Sequence, residues 1–212
     1  MLRHPCLLAL LCLGLLAGCT RQGLGAAKAD LVARQQTDTR TSAVPSASRP
    51  DDDTTGVVGR APSEWQTTQW FNSAPLTLAG LRGRVVFVRW FMSPSCPFCS
   101  GSAPALRALH ERYAGRGLTV VGMYHHKETT PLDPEDVRGW AKHFGYEFPV
   151  AIDADWRTLN SWWLDGHPDR RYTSVSFLID KTGIVRRVHL GGLIAADSPE
   201  FQDIERDIER LL

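Results

Sequence analysis

Apolar residues follow two different spacings along most of this chain. Residues 85–91 and 118–124 are almost continuously apolar or β-branched, which is typical of strands covered on both faces, and residues 148–153 form a shorter run of the same kind. Between these runs, residues 105–113 and 137–144 carry apolar side chains at helical spacing. The pattern predicts an order of strand, helix, strand, helix, strand through the middle of the chain.

The C-terminal part and the start of the domain add shorter elements. Residues 75–78 are predicted to form a short edge strand, residues 156–164 a short aromatic helix, and residues 174–180 with 184–189 a β-hairpin. A last amphipathic helix follows Ser198. This order predicts the α/β class, with a three-layer α/β/α sandwich around a central mixed β-sheet.

The first residues have the pattern of an export signal. Arg3 and His4 precede an apolar run of about a dozen residues, which is too short to span a bilayer but has the usual length of a signal sequence. The run ends in Leu-Ala-Gly-Cys at residues 16–19, which resembles the bacterial lipobox. We therefore predict a lipoprotein signal peptide at 1–18 and lipidation of Cys19, with an ordinary secretory signal or an uncleaved anchor as the alternative.

The composition mainly limits the number of folded domains and the kinds of partner that the chain can have. The 212 residues are 43% hydrophobic and 22% charged, which is enough for one good core, and residues 61–212 are predicted to form it. Residues 19–60 lack apolar periodicity and are predicted to be a flexible tether. The net charge of +1 gives no reason to expect a nucleic-acid partner. We expect a monomer.

The five cysteines separate by position into two groups. Cys6 and Cys12 would be removed with the signal and Cys19 would be acylated, which leaves Cys96 and Cys99 as the free thiols in an oxidising compartment. This pair lies between a predicted strand and a predicted helix. A helix N-terminus favours negative charge, so Cys96 is predicted to be the nucleophile and Cys99 the resolving thiol. A structural disulfide and half of a zinc site are the alternatives.

The residues around this pair resemble a known family. The Cys-Pro-Phe-Cys sequence at 96–99, Pro104, the strand at 85–91 and the hairpin residues 177–183 look like the TlpA/ResA-like, membrane-tethered branch of the thioredoxin superfamily. Residues 125–165 match the insertion of that branch. The resemblance implies a thiol-disulfide oxidoreductase that reduces protein disulfides through a mixed disulfide.

The same resemblance implies partners, a location and the absence of a separate cofactor. The redox group would be the disulfide between Cys96 and Cys99, with no metal. The partners would be protein disulfide or dithiol substrates and an upstream electron donor. The location would be the periplasmic side of a bacterial cell envelope, on a membrane surface reached through the lipid anchor. Thr20 after the acylated cysteine favours the outer membrane, if the source has one.

The chain departs from the family pattern at two positions. Thioredoxins usually carry a buried Asp six residues before the first cysteine, and Trp90 stands at that count. The family also places a cis-proline three residues before Phe177, where this chain has Ser174. Substrate contacts by resemblance fall on Pro97, Phe98, Thr173 and Ser174, and candidates for the proton relay are His125, His126 and Glu128.

The missing proline leaves other functions open. Two thiolates and an imidazole suit Cu(I), so a copper-handling metallochaperone that uses the dithiol with His125, His126 or His189 is an alternative. A non-catalytic lipoprotein with incidental thiols is a further one.

Overall fold

The computed structural model describes residues 54–212. The predicted signal peptide at 1–18, the predicted lipidation site Cys19 and the tether up to residue 53 lie outside the described residues. Within the described part of the chain, no helix is both long enough and apolar enough to cross a membrane.

The described residues form one mixed sheet of six strands in the order β1-β4-β3-β2-β5-β6. The three strands β2, β3 and β4 run parallel, whereas the β1–β4, β2–β5 and β5–β6 pairs are antiparallel. The prediction of a mixed sheet is confirmed. The strands are β1 (Gln69–Phe71), β2 (Val85–Phe91), β3 (Leu118–Tyr124), β4 (Val150–Ile152), β5 (Ser176–Ile179) and β6 (Val185–His189).

Helices follow β2, β3, β4 and β6, and polar N-caps set where most of them begin. Asp133 accepts a hydrogen bond from the Glu135 amide, and Ser198 accepts one from the Phe201 amide. Proline occupies the first helical position after both caps, where its missing N–H costs nothing. The helices are α1 (Pro97–Tyr113), α2 (Pro134–His143), α3 (Arg157–Leu159, continued by a π turn over Asn160–Leu164) and α4 (Pro199–Leu211).

The long apolar runs are the best-predicted elements. β2 and β3 have the predicted bounds, and the hairpin and the last helix are confirmed with slightly shorter strands. The edge strand predicted at 75–78 is wrong, because Leu81 donates to the Thr77 carbonyl and folds this stretch into turns. The edge strand is instead β1, whose three residues pair with β4 through Phe71 and Val150.

Residues 54–60, which the prediction assigns to the tether, contact the sheet. The Gly59 amide donates to the Val185 carbonyl at 2.8 Å, and the Val185 amide donates to the Arg60 carbonyl at 2.9 Å. The chain therefore covers part of the free edge of β6 before it enters the domain.

Two apolar clusters lie on opposite faces of the sheet, which confirms the predicted three layers. Side chains of β2 alternate between them: Val85, Phe87 and Phe91 face α1, α2 and α4. Val86, Val88 and Trp90 face the other way, toward the π turn and the segment that precedes β2. The second cluster is rich in tryptophan, and its largest members are Trp65, Trp90, Trp162 and Trp163.

A buried carboxylate joins the second cluster to the sheet. Asp153, which follows β4 and has no exposed surface, accepts hydrogen bonds from the Trp90 indole at 3.2 Å and from the amides of Thr158 and Leu159 at 3.1 and 2.9 Å. One side chain therefore satisfies two amides at the start of α3 and the indole of the central strand.

We predict that Asp153→Ala lowers the free energy of unfolding by about 3 kcal/mol, because three buried donors lose a charged acceptor. Urea denaturation measures this change. Asp155→Ala is the matched control, since the Asp155 side chain is 69% exposed and its contact with Arg157 is a surface ion pair. Equal stability of the two variants would contradict the role assigned to Asp153.

Candidate redox site

The end of β2 and the start of α1 bring the two cysteines together. Cys96 is the N-cap of α1, and its sulfur accepts a hydrogen bond from the Cys99 amide at 3.3 Å. Pro97 occupies the first turn, which contains no acidic residue, so the positive end of the helix dipole acts on Cys96 without an opposing carboxylate in that turn. Both cysteines are free thiols, and their sulfur atoms lie 2.7 Å apart.

The two thiols differ in exposure. Cys96 is partly exposed, whereas Cys99 is 4% exposed and packs into the core beneath α1. Burial, together with the hydrogen bond to Cys96, raises the pKa of Cys99 to about 12, although the Met92 amide and the Arg89 charge act in the opposite direction. The partly exposed sulfur of Cys96 therefore lies next to the buried sulfur of Cys99.

His125 and Lys127 both contact the Thr173 hydroxyl. Lys127 Nζ donates to Thr173 Oγ1 at 2.6 Å, and His125 Nε2 lies 3.1 Å from the same oxygen. His125 Nδ1 faces the Phe91 carbonyl at 3.1 Å, so Nδ1 carries the proton and Nε2 accepts from the Thr173 hydroxyl. Burial lowers the pKa of His125 to about 3, which keeps this ring neutral. The chain of hydrogen bonds fixes Thr173 relative to the end of β2.

Trp156 packs against the loop that contains His125, His126 and Lys127. Its indole donates to the His126 carbonyl at 2.8 Å, its ring lies 5.3 Å from that of His125, and Lys127 Nζ lies 5.3 Å from its centroid. Trp156 has a φ of 59°, a conformation that is unfavourable for a bulky side chain.

Burial lowers the pKa of Lys127, whereas the thiols of Cys96 and Cys99 favour its charged form.

The other two predicted relay candidates have different partners. His126 Nε2 donates to the Thr130 carbonyl at 2.7 Å, which leaves Nδ1 to accept from the Tyr124 hydroxyl at 2.9 Å. Glu128 accepts a hydrogen bond from the Ser93 hydroxyl at 2.7 Å, in the loop that leads to Cys96. The three candidates are therefore neighbours in sequence but bind three different parts of the structure.

The residue of β2 on the side of the dithiol is Arg89 and not Trp90. Trp90 belongs to the cluster on the opposite face from Cys99, so the expectation that Trp90 replaces the buried acid is wrong. Arg89 alternates with Phe87 and Phe91 on the Cys99 face and is 2% exposed. The sequence contains a signal for it, because Arg89 is the one charged residue in the run Val-Val-Phe-Val-Arg-Trp-Phe.

A loop after β6 connects the start of α1 with the Thr173–Ser174 segment. The Ser174 hydroxyl accepts from the Gly192 amide at 3.3 Å, and the Ser102 hydroxyl accepts from the Ile194 amide at 2.9 Å. Leu193 of this loop lies against Gly101, where an added Cβ would come within 2.5 Å of the leucine Cδ1. The sequence carries no local signal for this loop, because its contacts join distant parts of the chain.

Large exposed apolar side chains are concentrated around the dithiol. Phe98 lies between the cysteines and is 52% exposed, Leu193 of the connecting loop is 47% exposed, and Tyr172 beside Thr173 is 38% exposed. Among residues 54–212 the one other large exposed apolar side chain is Val58. The surface near Cys96 is therefore suited to apolar contact with a partner.

Among the described residues, no group of three or more His, Cys, Asp or Glu side chains is arranged to hold a metal ion. The copper alternative needs a histidine beside the two thiols. Both ring nitrogens of His125 and of His126 are already in hydrogen-bond contact with protein groups, whereas Nε2 of the buried His189, the third candidate, has no hydrogen-bond partner among the described residues.

Comparison with known proteins gives this site a family context. The Redoxin family model matches residues 66–208. The chain is 30% identical over 136 residues to protein DipZ of Mycobacterium bovis, a match that covers 63% of this chain and 19% of DipZ. It is 27% identical over 135 residues to the thiol-disulfide oxidoreductase ResA of Geobacillus kaustophilus, covering 63% of this chain and 67% of ResA.

Solved structures show the same fold. A crystal structure of a thioredoxin-like superfamily protein superposes with a TM-score of 0.57 at 27% identity and covers 71% of this chain and 95% of that protein. The Redoxin match includes all six strands of the sheet and both cysteines. The chain belongs to the Redoxin family, has the thioredoxin-like fold and is similar to the ResA thiol-disulfide oxidoreductases.

Proposed function

We propose that this protein is an extracytoplasmic thiol-disulfide oxidoreductase that reduces protein disulfides with Cys96 and Cys99. The observation that carries the proposal is the arrangement of the two sulfurs, 2.7 Å apart, with the partly exposed one at a helix N-terminus and the other buried beneath it. The family supports this chemistry, since ResA is a thiol-disulfide oxidoreductase by name.

The reaction begins when the Cys96 thiolate attacks one sulfur of a substrate disulfide. The substrate S–S bond breaks, one substrate sulfur leaves as a thiolate and takes up a proton, and Cys96 becomes joined to the other. Cys99 then loses its proton and attacks the Cys96 sulfur. This forms the Cys96–Cys99 disulfide and releases the second substrate thiol, so two electrons pass to the substrate. An upstream dithiol donor must reduce the protein again.

The substrate contacts in this proposal surround Cys96. Phe98, Tyr172 and Leu193 provide apolar surface, which suits a polypeptide segment next to the disulfide. Thr173 and Ser174 provide backbone groups at the edge of the site, and their positions are fixed by hydrogen bonds to Lys127, His125 and the Gly192 amide. A protein substrate, rather than a small disulfide, makes use of all these surfaces.

The proposed location rests on the N-terminal sequence. The export signal at 1–18 and the lipobox-like residues 16–19 would leave an acylated Cys19 on a membrane surface that faces the periplasm, and Thr20 favours the outer membrane if the source has one. Acyl chains hold a protein to a membrane without a spanning helix. Residues 20–53 lie between that anchor and the domain in the sequence.

We predict that Cys96→Ser abolishes insulin reduction, because no sulfur remains to attack the substrate. Cys99→Ser is expected to accumulate a mixed disulfide with insulin chains instead, since the resolving thiol is missing. Turbidity measures insulin reduction, and non-reducing electrophoresis detects the mixed species. Ser100→Ala is the matched control, because Ser100 is an exposed residue of the same helix turn. Full activity in Cys96→Ser would disprove the assigned nucleophile.

We predict that Cys19→Ser prevents lipidation and releases the protein into the soluble envelope fraction. Labelling of the expressed full-length chain with a palmitate analogue, followed by membrane fractionation, measures both effects. Cys6→Ser and Cys12→Ser are the controls and are expected to leave labelling unchanged. Label that persists in Cys19→Ser would show that Cys19 is not the acylated residue.

A further inference from the structure

Arg89 is a buried cation whose two hydrogen bonds both go to neutral groups. Its Nη1 donates to the Ser176 hydroxyl at 3.1 Å and its Nη2 donates to the Gly192 carbonyl at 2.6 Å. No carboxylate of residues 54–212 lies within ion-pair distance of it. A buried charge without a paired counter-charge is strongly unfavourable, so its presence requires an account beyond packing.

The groups that face this cation come from every element around it. Cys96 and Cys99 approach from α1, Tyr146 from the segment before β4, and Glu200 from the start of α4. Burial raises the pKa of Tyr146, which keeps it neutral, and also raises the pKa of Glu200, while Arg89 acts to keep Glu200 charged.

Two histidines face the same cation, and both are held neutral. Burial lowers the pKa of His125 to about 3 and that of His189 on β6 to about 4, and the Arg89 charge acts in the same direction in each case. Lys127 adds a second positive charge near the thiols from the exposed side. The histidines and Tyr146 around Arg89 stay neutral. The negative charge that forms beside Arg89 during turnover is therefore that of a cysteine thiolate.

We propose that Arg89 is an electrostatic positioning residue that stabilises the thiolate of Cys99 during resolution of the mixed disulfide. This inference rests on the proposed oxidoreductase function. In the step concerned, the Cys99 thiol gives its proton to solvent, and the thiolate attacks the Cys96 sulfur. The Cys96–Cys99 bond forms, the bond from Cys96 to the substrate breaks, and the substrate thiolate takes up a proton.

Two features make Arg89 suitable for this role. Burial lowers the pKa of Arg89, whereas the negative charges of Cys99 and Cys96 raise it, so the guanidinium and the thiolate each favour the charged form of the other. Its guanidinium is also held at two points, by Ser176 on the neighbouring strand and by Gly192 in the loop that binds Ser174. The cation stays in place when Cys99 changes its charge, which avoids reorganisation during the step.

The test compares Arg89→Met, Arg89→Gln and Arg89→Lys in two assays. In a Cys96→Ala background, the pH dependence of iodoacetamide alkylation reports the titration of Cys99 alone. Loss of the charge in the Met and Gln variants is expected to raise the midpoint by up to about one pH unit. The Lys variant keeps the positive charge and is expected to shift the midpoint of the Cys99 titration less.

The second assay follows the two phases in which reduced protein releases thionitrobenzoate from 5,5′-dithiobis(2-nitrobenzoate). Cys96 produces the first phase and Cys99 produces the second. A higher pKa lowers the thiolate fraction but increases intrinsic nucleophilicity, so the second phase is expected to slow by about threefold for each unit of pKa. Arg107→Met is the matched control, because Arg107 is an arginine of α1 that donates to the Phe144 carbonyl and does not act on Cys99.

An unchanged alkylation profile and an unchanged second phase in a folded Met or Gln variant would overturn the proposal. A lower melting temperature of the oxidised protein with unchanged Cys99 titration would assign Arg89 a structural role and would overturn it as well. If Arg89→Met fails to fold, Arg89→Gln decides, because it retains hydrogen-bond donors toward Ser176. If the wild type reduces no protein disulfide, the proposed function fails, yet the Cys99 titration still tests Arg89.

Discussion

The redox site depends on the way in which the central strand ends. β2 is buried along its whole length between β3 and β5, and its last residue, Phe91, is followed by four residues that lead to Cys96. Because both faces of β2 are packed, the strand cannot shift its register without exposing core residues on one side. The position of the first cysteine is therefore set by sheet packing, and α1 then places the second cysteine one helical turn inside.

The same packing explains why part of the structure could be predicted from sequence and part could not. The uninterrupted runs of β2 and β3 specify buried strands by composition alone, and Ser198 followed by Pro199 specifies a helix start through local chemistry. The three residues of β1 carry no such signal. Their pairing with β4 is a tertiary contact, and local turn chemistry at Thr77 decides against a strand in the stretch that looked more favourable.

The candidate site divides in a similar way. The cysteines, and the residues Pro97 and Phe98 between them, are local in sequence and could be found from the motif. The role of Arg89 could not be found by counting back from Cys96, because a count does not show on which face of the strand a side chain lies. Alternation along β2 decides that question once the core is known, and it separates Arg89 from Trp90. The contact of Lys127 with Thr173 joins residues 46 positions apart and has no local signal.

A cation beneath the resolving thiol has a different chemical consequence from a carboxylate at that place. A carboxylate can accept the proton of the thiol but opposes the negative charge that deprotonation leaves. A guanidinium cannot accept the proton, yet it favours the charge. In this protein the two histidines near Arg89 are held neutral by burial, and His125 Nε2 is already occupied by the Thr173 hydroxyl. In the proposed step the proton of Cys99 passes to solvent, while the Arg89 charge stabilises the thiolate from the core. Separating these two tasks removes the need for a buried acid on β2.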